Sequence, residues 1–194
     1  EAKLTSFRQE LEHFQGLSFG SISSFGAHGA IVHYSATPET DVELKPEGIY
    51  LIDSGGQYTD GTTDTTRTVS LGSISQEQKK HFTLVLKGML DLSMASFPRG
   101  TSGKQLDTIA RLPLWEAGLN FAHGVGHGIG HYLNVHEGPQ AISYYRCKGI
   151  PFEPGMITSN EPALYVEGEY GIRTENTILT VEDTEKSSES FTFY

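Results

Sequence analysis

A single cysteine, Cys147, stands among 194 residues. No internal disulfide can form, and such sparse cysteine usage belongs with a reducing compartment. No Asn-x-Ser/Thr acceptor occurs either, so a cytoplasmic location is expected. Long apolar runs are missing, which excludes a membrane-spanning helix within this sequence. Basic residues are scarce: 14 Lys and Arg face 24 Asp and Glu, for a net charge of −10. That balance speaks against nucleic acid and anionic membranes as partners. Internal repeats, low-complexity tracts and a clear linker are also lacking.

What remains is a chain with 37% hydrophobic residues, 22 glycines and 8 prolines. This composition fits a turn-rich α+β (mixed α/β) globule with one real core, so residues 1–194 are read as a single domain. The chain opens on Glu1, inside an expected helix, and is expected to be a piece of something longer.

Phe7, Leu11 and Phe14 form a stripe that predicts a helix over Thr5–Gln15, capped by Thr5 and stopped by Gly16. Strands are expected at 29–35, 48–54 and 64–71. Ser75 with Gln78 marks the start of a long helix, whose apolar face carries Phe82, Val85, Leu86, Met89 and Leu90 and which ends near 97–100. A second helix is expected over Thr101–Ala117, kinked or split by Pro113. Strands near 155–161 and 171–180 follow, then a polar loop at 182–190.

Five residues carry the chemistry: Asp53, Asp64, His127, Glu161 and Glu175. Oxygen-rich ligation with one imidazole suits a pair of hard or borderline divalent ions better than one structural zinc. Two such ions about 3.5–4 Å apart make hydroxide from water at neutral pH, which points to a dimetal hydrolase. Asp53 ends an apolar strand on the face of Ile49 and Leu51, and Asp64 begins the returning one. A hairpin can set the two carboxylates side by side if a cation offsets their repulsion; alone, the pair equally fits two turn aspartates. Arg173 and Glu175 are two apart, so Arg173 can hold the Glu175 carboxylate. An exposed ion pair on an edge strand has the same spacing. Glu161 closes an apolar strand before Pro162.

The stretch His123-Gly-Val-Gly-His127-Gly-Ile-Gly-His131 holds three histidines and four glycines in nine residues. Such glycine density argues against a helix and permits close backbone approach. The zinc-protease His-Glu-x-x-His pattern is not present. His136 follows in Asn134-Val-His-Glu-Gly-Pro139, and His33 lies far upstream. Any one of these histidines also fits a structural role.

Taken in order, several segments resemble the catalytic domain of the aminopeptidase P (Xaa-Pro aminopeptidase) family. They are Gly29-Ala-Ile-Val-His-Tyr34, Leu51-Ile-Asp-Ser-Gly55, Asp60-Gly-Thr-Thr-Asp64 and Thr66-Arg67-Thr68. They continue through His123-Gly-Val-Gly-His-Gly128, Leu133-Asn-Val-His-Glu-Gly-Pro139, Asn160-Glu-Pro162 and Gly171-Ile-Arg-Thr-Glu-Asn176. The resemblance implies the pita-bread fold shared with methionine aminopeptidase, prolidase and creatinase. It also implies truncation at both ends and upstream domains that are not in this sequence. By the same resemblance, Asp53 chelates one metal, Asp64 and Glu175 bridge both, and His127 and Glu161 bind the other. The metals are usually manganese, with cobalt or zinc as alternatives. Glu161 is then the proton acceptor and donor, while His136 and His33 bind substrate and oxyanion. His123 lines the proline side and Arg173 orients a bridging carboxylate. The expected partners are peptides with proline at position two, with a second copy in a homodimer as a further expectation. Prolidase, a methionine aminopeptidase-like enzyme and a non-catalytic peptide-binding module of the same fold are the alternatives.

Overall fold

The computed structural model describes residues 1–189 and 192–194. In chain order it opens with helix α1 (Ala2–Gln9), strands β1 (Phe14–Leu17) and β2 (Ile22–Phe25), and a 3-10 turn (Gly26–Ala30). Strands β3 (Ile49–Ser54), β4 (Gly56–Tyr58), β5 (Gly61–Thr62) and β6 (Thr65–Ser70) follow. Helices α2 (Gln76–Ser93) and α3 (Gly103–Glu116) come next. The chain then returns to short strands: β7 (Gly126–His127), β8 (Ala141–Ile142), β9 (Ile157–Asn160), β10 (Ala163–Val166), β11 (Tyr170–Arg173) and β12 (Asn176–Leu179).

Strand β3 pairs antiparallel with β2 and β6, with Asp53 opposite Ile22 and Thr66. Alternation puts Ile49, Leu51 and Asp53 on one buried face, as expected, and Tyr50 and Ile52 on the other. The connection from β3 to β6 is not a plain hairpin. It detours through β4 and β5, and β4 pairs with β1. Other strands continue this surface: the Glu175 N–H donates to the Thr66 carbonyl, β12 pairs with β9, and the Ile129 N–H next to β7 donates to Ile157 of β9. Every carboxylate-bearing segment therefore ends beside another.

Behind the strands, α2 and α3 pack on a core of Val85, Leu92, Leu106, Leu114, Phe121, Ile142, Phe152 and Ile172. Helix α2 starts as expected. Ser75 Oγ accepts from the Gln78 N–H, and the Gln78 side chain accepts from the Ser75 N–H. Gly88 lets the helices touch, since a Cβ there would lie 2.1 Å from the Ala110 carbonyl oxygen. Leu90, expected on the apolar face, is exposed, and the helix stops at Ser93. Helix α3 starts at Ser102, whose N–H and hydroxyl both donate to Gln105 Oε1. It is not split at Pro113, which lies buried within the continuous helix and forgoes one i→i−4 hydrogen bond.

Three expectations are corrected. The first helix covers 2–9 rather than 5–15, with Thr5 inside it donating back to Glu1. His13 takes a positive φ of 66°, and Phe14 enters β1, edge-on to Tyr58. Residues 29–35 are not a strand. Gly29 sits in the 3-10 turn against the Gly171 backbone, and the strand lies upstream at Ile22–Phe25. The expected strand at 171–180 is two strands with different partners, β11 on β10 and β12 on β9, broken at Thr174 and Glu175. The polar segment expected at 182–190 has turn and irregular structure through 189; residue 190 lies outside the described residues. No helix among the described residues is long and apolar enough to cross a membrane.

Candidate metal centre

Asp53 ends the buried face of β3, and Asp64 immediately precedes β6. Glu175 occupies the break between β11 and β12, where its N–H is held by Thr66. His127 ends β7, and Glu161 follows β9 with its N–H bonded to the Val125 carbonyl. The glycines around His127 serve close approach, as their density suggested. A Cβ on Gly126 would sit 1.9 Å from the Ser159 carbonyl oxygen, so only glycine lets β7 lie this near β9.

These placements bring the five residues together. Ligand atoms of Asp64, His127 and Glu175 lie within 4.8 Å of one another. His127 Nε2 is 3.4 Å from Asp64 Oδ2 and 3.2 Å from Glu161 Oε1. Asp53 adjoins the group through Arg173, whose Nη2 donates to Asp53 Oδ2 at 2.9 Å. Arg173 does not hold Glu175 directly, because the strand break removes the two-residue alternation that would have aligned them. Thr66 stands between them: its hydroxyl donates to Glu175 Oε2 at 2.7 Å and accepts from Arg173 Nε at 3.3 Å.

Three of these carboxylates are almost wholly buried, Glu175 with 1% of its surface exposed. Burial, then repulsion from Glu161, Asp64 and Asp53, pushes the Glu175 pKa well up. Burial likewise raises Asp53 to about 6, against the opposing pull of Arg173. For His127, burial favours the neutral ring, but bonds to Asp64 and Glu161 overcome it and raise the pKa to about 10. Burial would also raise Glu161, yet the His127 bond and nearby positive charge hold it below the ordinary value. Arg173 offsets part of this charge, and the protein alone neutralises the rest only by holding extra protons.

The donor set fits a divalent metal. Asp53 Oδ1 and Glu175 Oε1 are buried oxygens with no hydrogen-bond partner, a costly arrangement unless a cation satisfies them. His127 Nδ1 faces the Gly128 carbonyl at 3.0 Å. A carbonyl only accepts, so Nδ1 carries one proton; the second sits on Nε2 between the carboxylates, and a metal that displaced it would find the Nε2 lone pair aimed at the cluster.

The other expected residues surround this cluster. The His136 ring stands edge-on to His127 with centroids 4.2 Å apart. His33 is exposed at the rim, within electrostatic range of His136. His123 Nδ1 faces the Gly124 carbonyl, and its Nε2 meets the Tyr165 hydroxyl at 2.9 Å. Tyr165 accepts from Arg173 Nη1 at 2.7 Å. A directed chain therefore runs from Arg173 through the Tyr165 O–H to His123. Burial raises the Tyr165 pKa to about 12, so the phenol keeps its proton, and burial keeps His123 below its ordinary value.

Sequence reading missed Tyr165, Thr66 and Ser159, the last donating to Glu161 Oε1 at 3.0 Å. Their only signal was adjacency to the ligand segments. A cavity of about 650 Å³ lined by Phe25, His28, Tyr34 and Tyr50 opens on the opposite face of β2 and β3 and includes none of the five residues.

The family model for metallopeptidase family M24 matches residues 1–182. The chain is 52% identical over 177 residues to Aminopeptidase P1 of Lotus japonicus, covering 91% of this chain and 27% of that protein. It is 51% identical over 181 residues to a probable Xaa-Pro aminopeptidase P of Sclerotinia sclerotiorum, covering 93% and 30%. The chain thus spans less than a third of these relatives. Among solved structures it is similar to the X-prolyl aminopeptidase from Caenorhabditis elegans, described as a cytosolic enzyme with a di-nuclear active site. There the TM-score is 0.93 at 42% identity, covering 99% of this chain and 31% of that one. A prolidase from Thermococcus sibiricus matches with a TM-score of 0.82 at 26% identity, covering 93% and 47%.

Proposed function

Because the chain belongs to metallopeptidase family M24 and has its pita-bread fold, we propose that it is the catalytic portion of a dimetal Xaa-Pro aminopeptidase. The enzyme would release the N-terminal residue from peptides with proline at position two. The observation that carries this is the buried cluster of Asp64, His127 and Glu175, with unpartnered oxygens on Asp53 and Glu175, in a chain about half identical to aminopeptidase P relatives. Asp53 would hold one ion, Asp64 and Glu175 would bridge, and His127 with Glu161 would hold the second. Manganese suits the oxygen-rich donors best, with cobalt or zinc as alternatives. Bound there, the ions supply Lewis-acid polarisation and a water acidified towards neutrality.

The residues of the chain provide the rest. Glu161, which bound ions would keep ionised, accepts the proton of the attacking water. It then passes that proton to the departing proline nitrogen. His136 and His33, at the rim, bond the substrate carbonyl and the oxyanion that develops there. The chain from Arg173 through Tyr165 holds His123 in one tautomer against the proline side. The surrounding carboxylates favour a positively charged peptide N-terminus. The single buried cysteine and the cytosolic description of the Caenorhabditis enzyme support a cytoplasmic setting.

The test is release of the first residue from Arg-Pro-Pro, Arg-Ala-Pro, Met-Ala-Ser and the dipeptide Ala-Pro by the manganese-loaded full-length protein. Cleavage confined to Arg-Pro-Pro is expected. Cleavage of Ala-Pro alone would make the enzyme a prolidase, and no cleavage with metal bound would overturn the assignment.

A further inference from the structure

We propose that Tyr144 and Tyr145 form a subsite for the third and fourth residues of the peptide substrate, taking apolar or aromatic side chains. The proposal rests on the peptidase reading above and extends it past the proline.

Strand β8 runs antiparallel to β7, with Ala141 opposite His127 and Ile142 opposite Gly126. The two segments stay together beyond the strands. A Cβ on Gly124 would lie 3.2 Å from Ser143 Cβ, and the Tyr145 hydroxyl donates to the Ala122 carbonyl. The tyrosines thus sit beside Ala122 and His123, at the far end of a hairpin that begins at His127. His127 and His123 are four positions apart, a span of at most about 14 Å. An extended peptide crosses that distance in about three to four residues. A substrate whose scissile bond lies at the metal centre, and whose chain runs on along this segment past the proline, brings residues three and four to the tyrosines.

The surface there is open and built. The two rings meet edge to face with centroids 4.8 Å apart, each more than two-fifths exposed. With Asn120, Phe121 and Ala122 they line a cavity of about 520 Å³. Beneath it lies Arg111, wholly buried and paired with Asp107. Arg111 donates to the carbonyls of Phe121 and His123, and its guanidinium lies 3.9 Å from the Phe121 ring and 5.0 Å from that of Tyr144. One buried cation therefore anchors both the His123 backbone and the platform.

Charge gives the occupant its direction. Exposed Arg146 lies 5.5 Å from the Tyr145 ring, whereas the metal centre gathers carboxylates. A peptide with its amine at the carboxylates and its carboxylate near Arg146 matches both ends. Tyrosine faces favour proline, aromatic and aliphatic partners at low entropic cost.

The test compares kcat/KM for Ala-Pro-Phe-Phe and Ala-Pro-Gly-Gly in the metal-loaded full-length protein. A preference of about five- to tenfold for the Phe peptide, carried mainly by KM, is expected. Tyr144→Ala should reduce it to within twofold, and Tyr144→Phe should retain it. Tyr145→Leu reads the same ratio if Tyr144→Ala fails to accumulate. Equal rates in the unmodified protein, or a preference that survives loss of the ring, would overturn the subsite alone. If neither peptide is cleaved, the peptidase reading falls and the subsite falls with it.

Discussion

Glu175 has almost no exposed surface, yet it shares its surroundings with Asp53, Asp64 and Glu161. Only protons or cations can make such a group tolerable. Asp64 sits at the middle of it, within ligand distance of both His127 and Glu175. Asp64→Ala should remove metal binding and bring turnover to background. Normal metal content by elemental analysis together with full activity would contradict the proposed bridging role. Tyr165 is a residue of another kind, touching His123 and Arg173 but no metal-ligand oxygen. Tyr165→Phe keeps the ring and cuts the hydrogen-bond chain. We expect activity on Arg-Pro-Pro to fall roughly 10–100-fold with both metals retained, which steady-state kinetics beside metal analysis would check.

Among the elements, α2 was the most legible. Its capping residues and its buried Val85 and Met89 are local features, and local features survive folding. Strand β3 was legible for the same reason. Strands β2 and β10 escaped because each is only four residues long and is stabilised by its partner strand. The 171–180 region reads as one strand because periodicity cannot see that its two halves pair with different neighbours. Gly88 separates local preference from packing. Alanine there gains about 1 kcal/mol of helix propensity, but its Cβ would meet the Ala110 backbone. Gly88→Ala should therefore destabilise the protein by a net of about 1–3 kcal/mol, seen as a thermal midpoint lower by several degrees. An unchanged or higher midpoint would show that α2 and α3 can slide apart freely.

For the molecule as a whole, metal and proton compete for the same site. Without metal, Asp53 binds its proton more tightly folded than unfolded, so stability falls as pH rises from 3.8 through about 6. His127, raised from 6.5 to about 10, contributes fully below 6.5 and loses that contribution as pH climbs towards 10. Glu161 acts oppositely, but only below its ordinary value of 4.5. Between pH 5.5 and 8 the first two effects share a sign. The chelated protein should lose on the order of 2–3 kcal/mol of stability across that range. The metal-loaded protein should gain, because its ligands must be deprotonated to bind. Thermal midpoints with and without chelator, at both pH values, check this; parallel curves would mean that the cluster does not titrate as described.

The sequence by itself determined the kinds of atom at this centre. Four carboxylates and one imidazole, each at the end of a strand or within a glycine-rich segment, are covalent facts, and their chemistry favours hard cations wherever they meet. Its glycine density also permitted close backbone approach around His127, and the fold uses that permission at Gly126, where a Cβ would meet the Ser159 carbonyl. The tertiary structure decided the partnerships. Asp53 and Arg173 lie 120 positions apart, Thr66 and Glu175 109, and contacts at that separation depend on strand order and register, which local sequence pattern does not contain. For that reason Arg173 was expected on Glu175 and stands on Asp53, with Tyr165 and Thr66 filling roles that only their neighbours could reveal.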